Sequence, residues 1–327
     1  MRILVWHVHG SYLTSFVRGG HDYVLPVLPD RGPDGRGRAR TWDWPASARE
    51  VAVDRLREEH LDVVVLQRPH EAALVERWTG RRVGRDLPAV YLEHNTPAGH
   101  AVATEHHVLR DPLLAGVPVV HVTHFNAMAW DCGDRPTTVV EHGIPDPGLR
   151  YEGTDPSLCV AVNEPVRRWR VAGSDLVLDL ARTVPVSVYG MAADGLGALA
   201  EERGIPGLDR SRCHDLDQAQ LHRAMARHRA YLHPYRWTSL GLALLEAMTL
   251  GMPVLALSTT EAPEAVPAAA GLVTNDVLAL RAMARRLLAD PDEARARGLE
   301  ARAHALRRHS LTRFLLDWDR VLKEVTP

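Results

Sequence analysis

Short, mainly apolar runs separated by polar or amphipathic stretches recur along this chain. That alternation restricts its fold more than any other feature. Ile3–Val8, Asp62–Leu66, Ala89–Leu92, Val117–Val122 and Thr138–Val140 mark the first half. Runs this short, with little internal polar alternation, suit strands covered on both faces, as in a parallel sheet flanked by helices. The charged stretch from Ser47 to His60 reads as one of the intervening helices. A second series follows at Leu158–Val162, Val186–Tyr189, Ala230–Leu232 and Val254–Ala256, with helices expected at Asp175–Arg182 and Gln218–Arg229. Strand–helix alternation of this kind implies an α/β fold with parallel sheets. Asp276–His309 reads as two helices, and Leu311–Glu324 as an amphipathic one with Phe314, Leu315, Trp318 and Leu322 on one face.

Between the two series lies HGIPDPGLRYEGTDP, residues 142–156, with three prolines and three glycines. Such a segment continues neither a helix nor a central strand, so the domain boundary is placed here. At 327 residues the chain has room for two units with separate cores. A hydrophobic fraction of 46% excludes a disordered chain, and three widely spaced cysteines exclude a disulfide scaffold and a zinc ribbon. A formal charge of −2 leaves no global footprint for nucleic acid. The opening MRILVWHVHG carries no cleavage-site pattern, and no apolar stretch is long enough to span a bilayer. A cytoplasmic location is therefore expected, with peripheral membrane contact left open. Arg31–Arg40, rich in Gly and Arg, reads as a mobile loop.

The most informative segment is His233–Val254, HPYRWTSLGLALLEAMTLGMPV. A strand ends, a loop follows, and a helix opens after Gly241, to be stopped by Gly251 and Pro253. The unpaired amides at such a helix start, with the helix dipole, suit a diphosphate. Gly241 allows close approach of a ligand to the backbone. Glu246, one and a half turns in, would repel phosphate and instead suits a vicinal diol such as that of ribose. Lys323 is the single lysine among 39 basic residues, so phosphate contacts must come from Arg, His, amides or helix ends.

This segment resembles the nucleotide-sugar signature of family-4 retaining glycosyltransferases, which have the GT-B fold. In Thr238-Ser-Leu-Gly241-Leu242-Ala-Leu-Leu-Glu246-Ala-Met248-Thr-Leu-Gly251-Met-Pro253-Val, Glu246 matches the ribose-binding Glu. Gly241 and Leu242 match the diphosphate-facing amides. Thr238 stands where the family has a Glu that contacts donor-sugar hydroxyls. Cys159–Leu180 is similar to the family's strand–turn–helix in which Arg and Lys clamp the diphosphate, with Ala172-Gly173-Ser174-Asp175-Leu176 recognisable. The Lys is absent, and Arg167, Arg168 and Arg170 are the candidates to replace it. Arg167 is favoured by position, with Arg168 and Arg170 left open. Val188-Tyr189-Gly190 and His214-Asp215-Leu216 resemble segments that flank the base, and Pro263-Glu264-Ala265-Val266 the loop at the rim of the donor pocket.

In the first half, Ala89–Leu92 runs into Glu93-His94-Asn95, and His94 matches a family His near the reacting sugar. His7 and His9 alternate along the first strand and share a face. His9-Gly10-Ser11 loosely resembles the Gly-rich loop that approaches donor and acceptor. His121, His124 and Asn126 end another strand, Arg68 follows a third, and Glu141–Pro145 resembles the family's hinge entry.

The resemblance implies two facing Rossmann-like domains. An acceptor-binding domain spans residues 1–147, joined by a returning helix at 310–327. A nucleotide-sugar-binding domain spans residues 155–309. It implies metal-independent transfer, with retention, from a nucleotide-diphosphate sugar to a hydroxyl on a small-molecule, glycan or lipid-linked acceptor. No cofactor is expected beyond the donor. His94 and Thr238 are the catalytic candidates. Arg167, Arg168, Arg170, Ser239, Leu240, Gly241, Leu242 and Glu246 are the donor-binding ones. A nucleotide-sugar epimerase or hydrolase of the same fold, and a non-catalytic nucleotide-sugar-binding protein, are the alternatives.

Overall fold

Two large, all-parallel sheets organise the chain. The computed structural model describes residues 1–326. Residues 1–143 with the last helix make one unit, and residues 144–310 make the other.

The first unit runs β1 (Arg2–Val5), α1 (Gly10–Phe16), β2 (Asp22–Val27), β3 (Ala48–Ala52), β4 (Val63–Leu66), α2 (Glu71–Thr79), β5 (Ala89–Glu93), β6 (Thr104–Glu105), β7 (Val119–His121), α3 (His124–Ala129), β8 (Trp130–Asp131) and β9 (Thr137–Val139). Its main sheet has the order β3-β2-β1-β4-β5-β7-β9, and β6 pairs with β8 in a small ladder. The chain starts at β1, moves outward to β3, then crosses back to β4 beside β1. Ligands of open parallel sheets sit at the carboxyl ends of the strands where the order reverses in this way.

The second unit repeats the plan with β10 (Asp155–Ala161), α4 (Pro165–Ala172), α5 (Ser174–Ala181), β11 (Val186–Tyr189), α6 (Asp194–Glu202), β12 (Cys213–His214), α7 (Gln218–Arg227), β13 (His228–His233), α8 (Leu242–Leu250), β14 (Val254–Ala256), α9 (Ala262–Ala265), β15 (Gly271–Val273), α10 (Val277–Ala289) and α11 (Pro291–Arg308). The order is β12-β11-β10-β13-β14-β15, with the reversal between β10 and β13. Alternate strand residues feed two cores. Leu158, Val160, Ala230, Leu232 and Leu255 pack with Leu176 and Leu180 of α5. Cys159, Tyr231, Val254 and Ala256 pack with Leu244, Leu245 and Met248 of α8. Both faces are apolar because both are covered, which is why these strands read as continuous runs.

The last helix, α12 (Leu311–Val325), buries Phe314, Trp318, Val321 and Leu322. It packs on the first unit, where the Trp318 indole N–H donates to the Tyr12 hydroxyl at 2.9 Å.

Three expectations need correction, and one strand was not anticipated. The Ser47–His60 segment is not a helix but β3 followed by a 3₁₀ turn, Val53–Glu58. It forms the sheet edge, where the charges of Arg49 and Glu50 are met by Glu59 at 2.5 Å and Arg31 at 2.8 Å. The first strand ends at Val5, so His7 and His9 do not share a strand face; a turn in which the Val8 amide bonds the Trp6 carbonyl separates them. β2 escapes the sequence pattern because Pro26 interrupts it; its pairing with β1 covers Asp22–Val24, so Pro26 lies beyond it. Arg31–Arg40 is pinned rather than mobile: Arg31 forks onto Glu50, and the Arg38 guanidinium donates to the carbonyls of Trp44, Pro45 and Ala48. Among the described residues no helix is long and apolar enough to cross a membrane.

Candidate functional site

In the second unit the chemistry-bearing residues gather at the carboxyl ends of β10 and β13. β13 delivers His233 and then the loop Pro234–Leu240, after which α8 opens at Gly241 with no side-chain cap. The Leu244 amide is bonded to the Gly241 carbonyl. The amides of Leu242 and Ala243 precede it in the half-exposed first turn, where an α-helix leaves its amides without intrahelical partners. Glycine at 241 is enforced by packing, since a Cβ there would lie 2.8 Å from Cε1 of His233. Burial pushes the His233 pKa down to about 4, so the ring under the helix start is neutral at pH 7. Its Nδ1 has no hydrogen-bond partner among the described residues.

The loop is fastened to the β10 side. Gly173, in the left-handed conformation at φ 74°, separates α4 from α5. A Cβ on it would overlap the Pro234 carbonyl, so only glycine permits this approach. Arg236 forks onto Asp175 at 2.6 and 3.0 Å and donates to the Arg170 carbonyl at 3.0 Å. Burial alone would raise the Asp175 pKa, but the Arg236 and Arg170 guanidiniums hold it below its ordinary value. Two non-glycine residues beside β10 are held at positive φ, Glu164 at 52° and Trp169 at 29° inside α4. Strained backbone of this kind persists where surrounding packing over-determines it.

The three candidate arginines have different surroundings. Arg167 forks onto Glu164 at 2.5 and 2.8 Å and is largely exposed. Arg170 is also exposed and bonds Asp175 at 2.7 Å. Arg168 lies over the ring of Tyr235, its Cζ 5.2 Å from the centroid, on the loop that leads to α8. A phosphate would have to displace a carboxylate from Arg167 or Arg170, whereas Arg168 is held by the Tyr235 side chain.

Glu246 is buried under the first turns of α8. Gln218 Nε2 donates to its Oε1 at 2.9 Å, and His222 Nε2 lies 3.3 Å from its Oε2. Each oxygen keeps a second lone pair, so the carboxylate can still accept two hydroxyls. Ser239 and Leu240 are buried in the loop; Thr238 and Leu242 are half-buried. Sequence reasoning missed Gln218, His222, Tyr235 and Arg236. The first two stand four apart on α7, a helical-face signal, but nothing local points that face at Glu246.

In the first unit, His94 follows β5 and is buried, its Nε2 2.9 Å from Oε1 of Gln67. Gln67 follows β4 and donates from Nε2 to the Trp6 carbonyl at 2.8 Å. The ring centroid of His9 lies 4.0 Å and that of Tyr12 4.6 Å from that of His94. Burial first, then His9 and His142, hold the His94 pKa well below its usual value. His9 precedes α1 and makes no side-chain cap; Gly10 opens the helix and Ser11 is exposed. Glu93 is buried, accepting the Asn95 amide at 2.6 Å and facing His106 Nε2 at 3.1 Å. Arg68 is bound to Glu71 at 2.7 Å and Asp34 at 2.9 Å. His121 is buried beside Cys132, and His124 is exposed. Asn126 is fully buried with neither amide atom bonded among the described residues. Among the described residues no group of three or more His, Cys, Asp or Glu could hold a metal ion.

A family model described as glycosyl transferases group 1 matches residues 179–290, which includes the loop and α8. Comparison with curated protein sequences gives no match. Several solved structures share the fold. A sucrose-phosphate synthase from Thermosynechococcus elongatus aligns with a TM-score of 0.70 at 14% identity, over 99% of this chain and 98% of that one. Anabaena HepE, solved in complex with UDP, gives 0.70 at 14% identity, over 99% and 100%. WaaG, a glycosyltransferase involved in lipopolysaccharide biosynthesis, gives 0.66 at 16% identity, over 100% of both. The fold is therefore α/β with parallel sheets in two domains, as in GT-B glycosyltransferases.

Proposed function

We propose that this chain is a glycosyltransferase that moves a sugar, with retention and without a metal, from a nucleotide-diphosphate sugar to a hydroxyl acceptor. The observation that carries the reading is the β13–α8 unit. Uncapped amides after Gly241, the Arg168 guanidinium held on the same loop and the buried carboxylate of Glu246 all sit at the topological reversal of one sheet. The group 1 match over residues 179–290 and the UDP bound by HepE support a nucleotide-sugar donor.

In this reading the amides of Leu242 and Ala243 and the Arg168 guanidinium hold the diphosphate. Negative charge grows there as the bond to the sugar breaks, so these donors act most strongly when the barrier is highest. His233 beneath them is neutral, so the site's positive character comes from the amides and the guanidinium alone. Glu246, oriented by Gln218 and His222, accepts the ribose diol. His94 and Thr238 are assigned to sugar hydroxyls, and Arg167 and Arg170 to the rim. The resemblance of the signature around Glu246 to family 4 is what supports the retaining part of this proposal. A small-molecule, glycan or lipid-linked acceptor and a cytoplasmic site of action belong to the same proposal.

A thermal-shift screen with UDP, GDP, ADP and dTDP tests it, because a ligand that binds only the folded state raises the melting temperature by mass action. At least one diphosphate should stabilise the wild type and fail to stabilise a folded Glu246→Ala variant. Equal stabilisation of both, or of neither, would contradict the assignment.

A further inference from the structure

We propose that Gln67 fixes the tautomer of His94, so that His94 meets its ligand as a hydrogen-bond acceptor and selects a hydroxyl rather than an anionic oxygen. This rests on the sugar-transfer reading only for the identity of the hydroxyl; the tautomer stands on geometry alone.

The argument runs through three groups that leave each other no choice. The Trp6 carbonyl can only accept, and it lies 2.8 Å from one end of the Gln67 amide, which must therefore be the nitrogen. The other end is then the amide oxygen, which also only accepts, and it lies 2.9 Å from Nε2 of His94. The proton of that hydrogen bond must be on Nε2. Turning the amide over would set its oxygen against the Trp6 carbonyl and its NH₂ against the Nε2 proton, losing both bonds. Gln67 is also buried, and its backbone amide donates to Glu71 Oε2 at 2.6 Å.

A neutral imidazole carries one ring proton, so Nδ1 is left with a bare lone pair. The ring stays neutral because it is buried among the rings of His9, Tyr12 and His142, of which none is an anion that would favour a charged imidazole. No other hydrogen bond of the ring is present among the described residues. An approaching phosphate or carboxylate oxygen meets lone pair against lone pair. A hydroxyl can donate. Gln67 thus acts as a positioning residue through which Trp6, just after the first strand, sets what His94 recognises.

Nitrogen NMR of the full chain with ¹⁵N-labelled histidine reads the tautomer directly. The His94 signals are assigned by their loss in His94→Phe. At pH 7 the wild type should show a protonated Nε2 and an unprotonated Nδ1; a protonated Nδ1 or an even mixture of tautomers would overturn the proposal. Gln67→Leu should mix the tautomers and lower kcat about fivefold, the worth of one neutral hydrogen bond, with the KM for the nucleotide-sugar unchanged. An unaltered His94 spectrum in that variant would also overturn it. Gln67→Glu, which keeps an acceptor on Nε2, should retain the Nε2 proton and raise the pH at which His94 titrates; this variant decides the matter if Gln67→Leu does not fold. Calorimetry with UDP separates the two claims. A chain showing the Nε2 tautomer but binding no nucleoside diphosphate loses the transferase reading and keeps this one, and the converse result does the reverse.

Discussion

Replacing Arg168 by alanine should weaken nucleoside-diphosphate binding far more than replacing Arg167, although both lie on the same turn of α4. A hydrogen bond from a guanidinium to a charged oxygen contributes about 1.5–3 kcal/mol. To make it, Arg168 must leave the Tyr235 face, 5.2 Å away, which is worth about 0.5–1 kcal/mol. The net of about 1–2 kcal/mol corresponds to a loss of about 5- to 30-fold in affinity for Arg168→Ala. Arg167 starts from a fork on Glu164 in open solvent. Any gain on the phosphate is offset by the carboxylate it leaves, so Arg167→Ala should stay within about threefold of wild type. Isothermal titration calorimetry with UDP at fixed ionic strength measures both. The reasoning is refuted if Arg167→Ala loses as much affinity as Arg168→Ala, or if Arg168→Ala binds like the wild type.

Two further outcomes follow from the packing. Burial holds His121, His228 and His233 each at a pKa of about 4, against about 6.5 in the unfolded chain. Between those values the unfolded chain binds more protons, so stability is complete above pH 6.5 and is lost as pH falls toward 4, by up to about 4 kcal/mol per pH unit near pH 5 if all three respond. Urea unfolding at pH 7, 6 and 5 should show midpoints falling steeply with acid, and a flat profile would contradict the neutral-buried assignment. Gly173→Ala adds a Cβ against the Pro234 carbonyl at a positive φ, and should destabilise the second unit by about 2–5 kcal/mol in chemical denaturation. A variant with wild-type stability would mean that α4 and the β13–α8 loop do not pack as described.

The strands were legible because nearly every one of their residues is buried on one face or the other, so Val63–Leu66 and Val254–Ala256 announce themselves by apolarity alone. The α8 unit was legible for a different reason. Gly241, Gly251 and Pro253 are local backbone signals that act within one turn of where they stand. The misread segments are those whose polar residues find partners far along the chain. Arg49 and Glu50 read as a helix surface until Glu59 and Arg31 are placed beside them. Pro26 hid β2 because sequence does not reveal where one strand outlasts its neighbour. At the candidate site the sequence supplied three arginines and favoured Arg167 by position, whereas the contacts seen in the fold favour Arg168. The ranking depends on Glu164, Asp175 and Tyr235, whose distances only folding defines. Gln67 and Gln218 were invisible as site residues for the same reason, since their partners His94 and Glu246 lie 27 and 28 positions away.

The claim on which the account turns is that Glu246 grips the pentose of a nucleotide whose diphosphate rests on the start of α8. A calorimetric cycle tests this most directly. The affinity of the best-binding ribonucleoside diphosphate is compared with that of its 2′,3′-dideoxy analogue, in the wild type and in Glu246→Ala. Loss of hydrogen bonds to a charged carboxylate should cost the analogue about tenfold or more in the wild type. In Glu246→Ala the two ligands should bind alike. A dideoxy analogue that binds the wild type as well as the parent does, or a discrimination that survives in the folded variant, would contradict it.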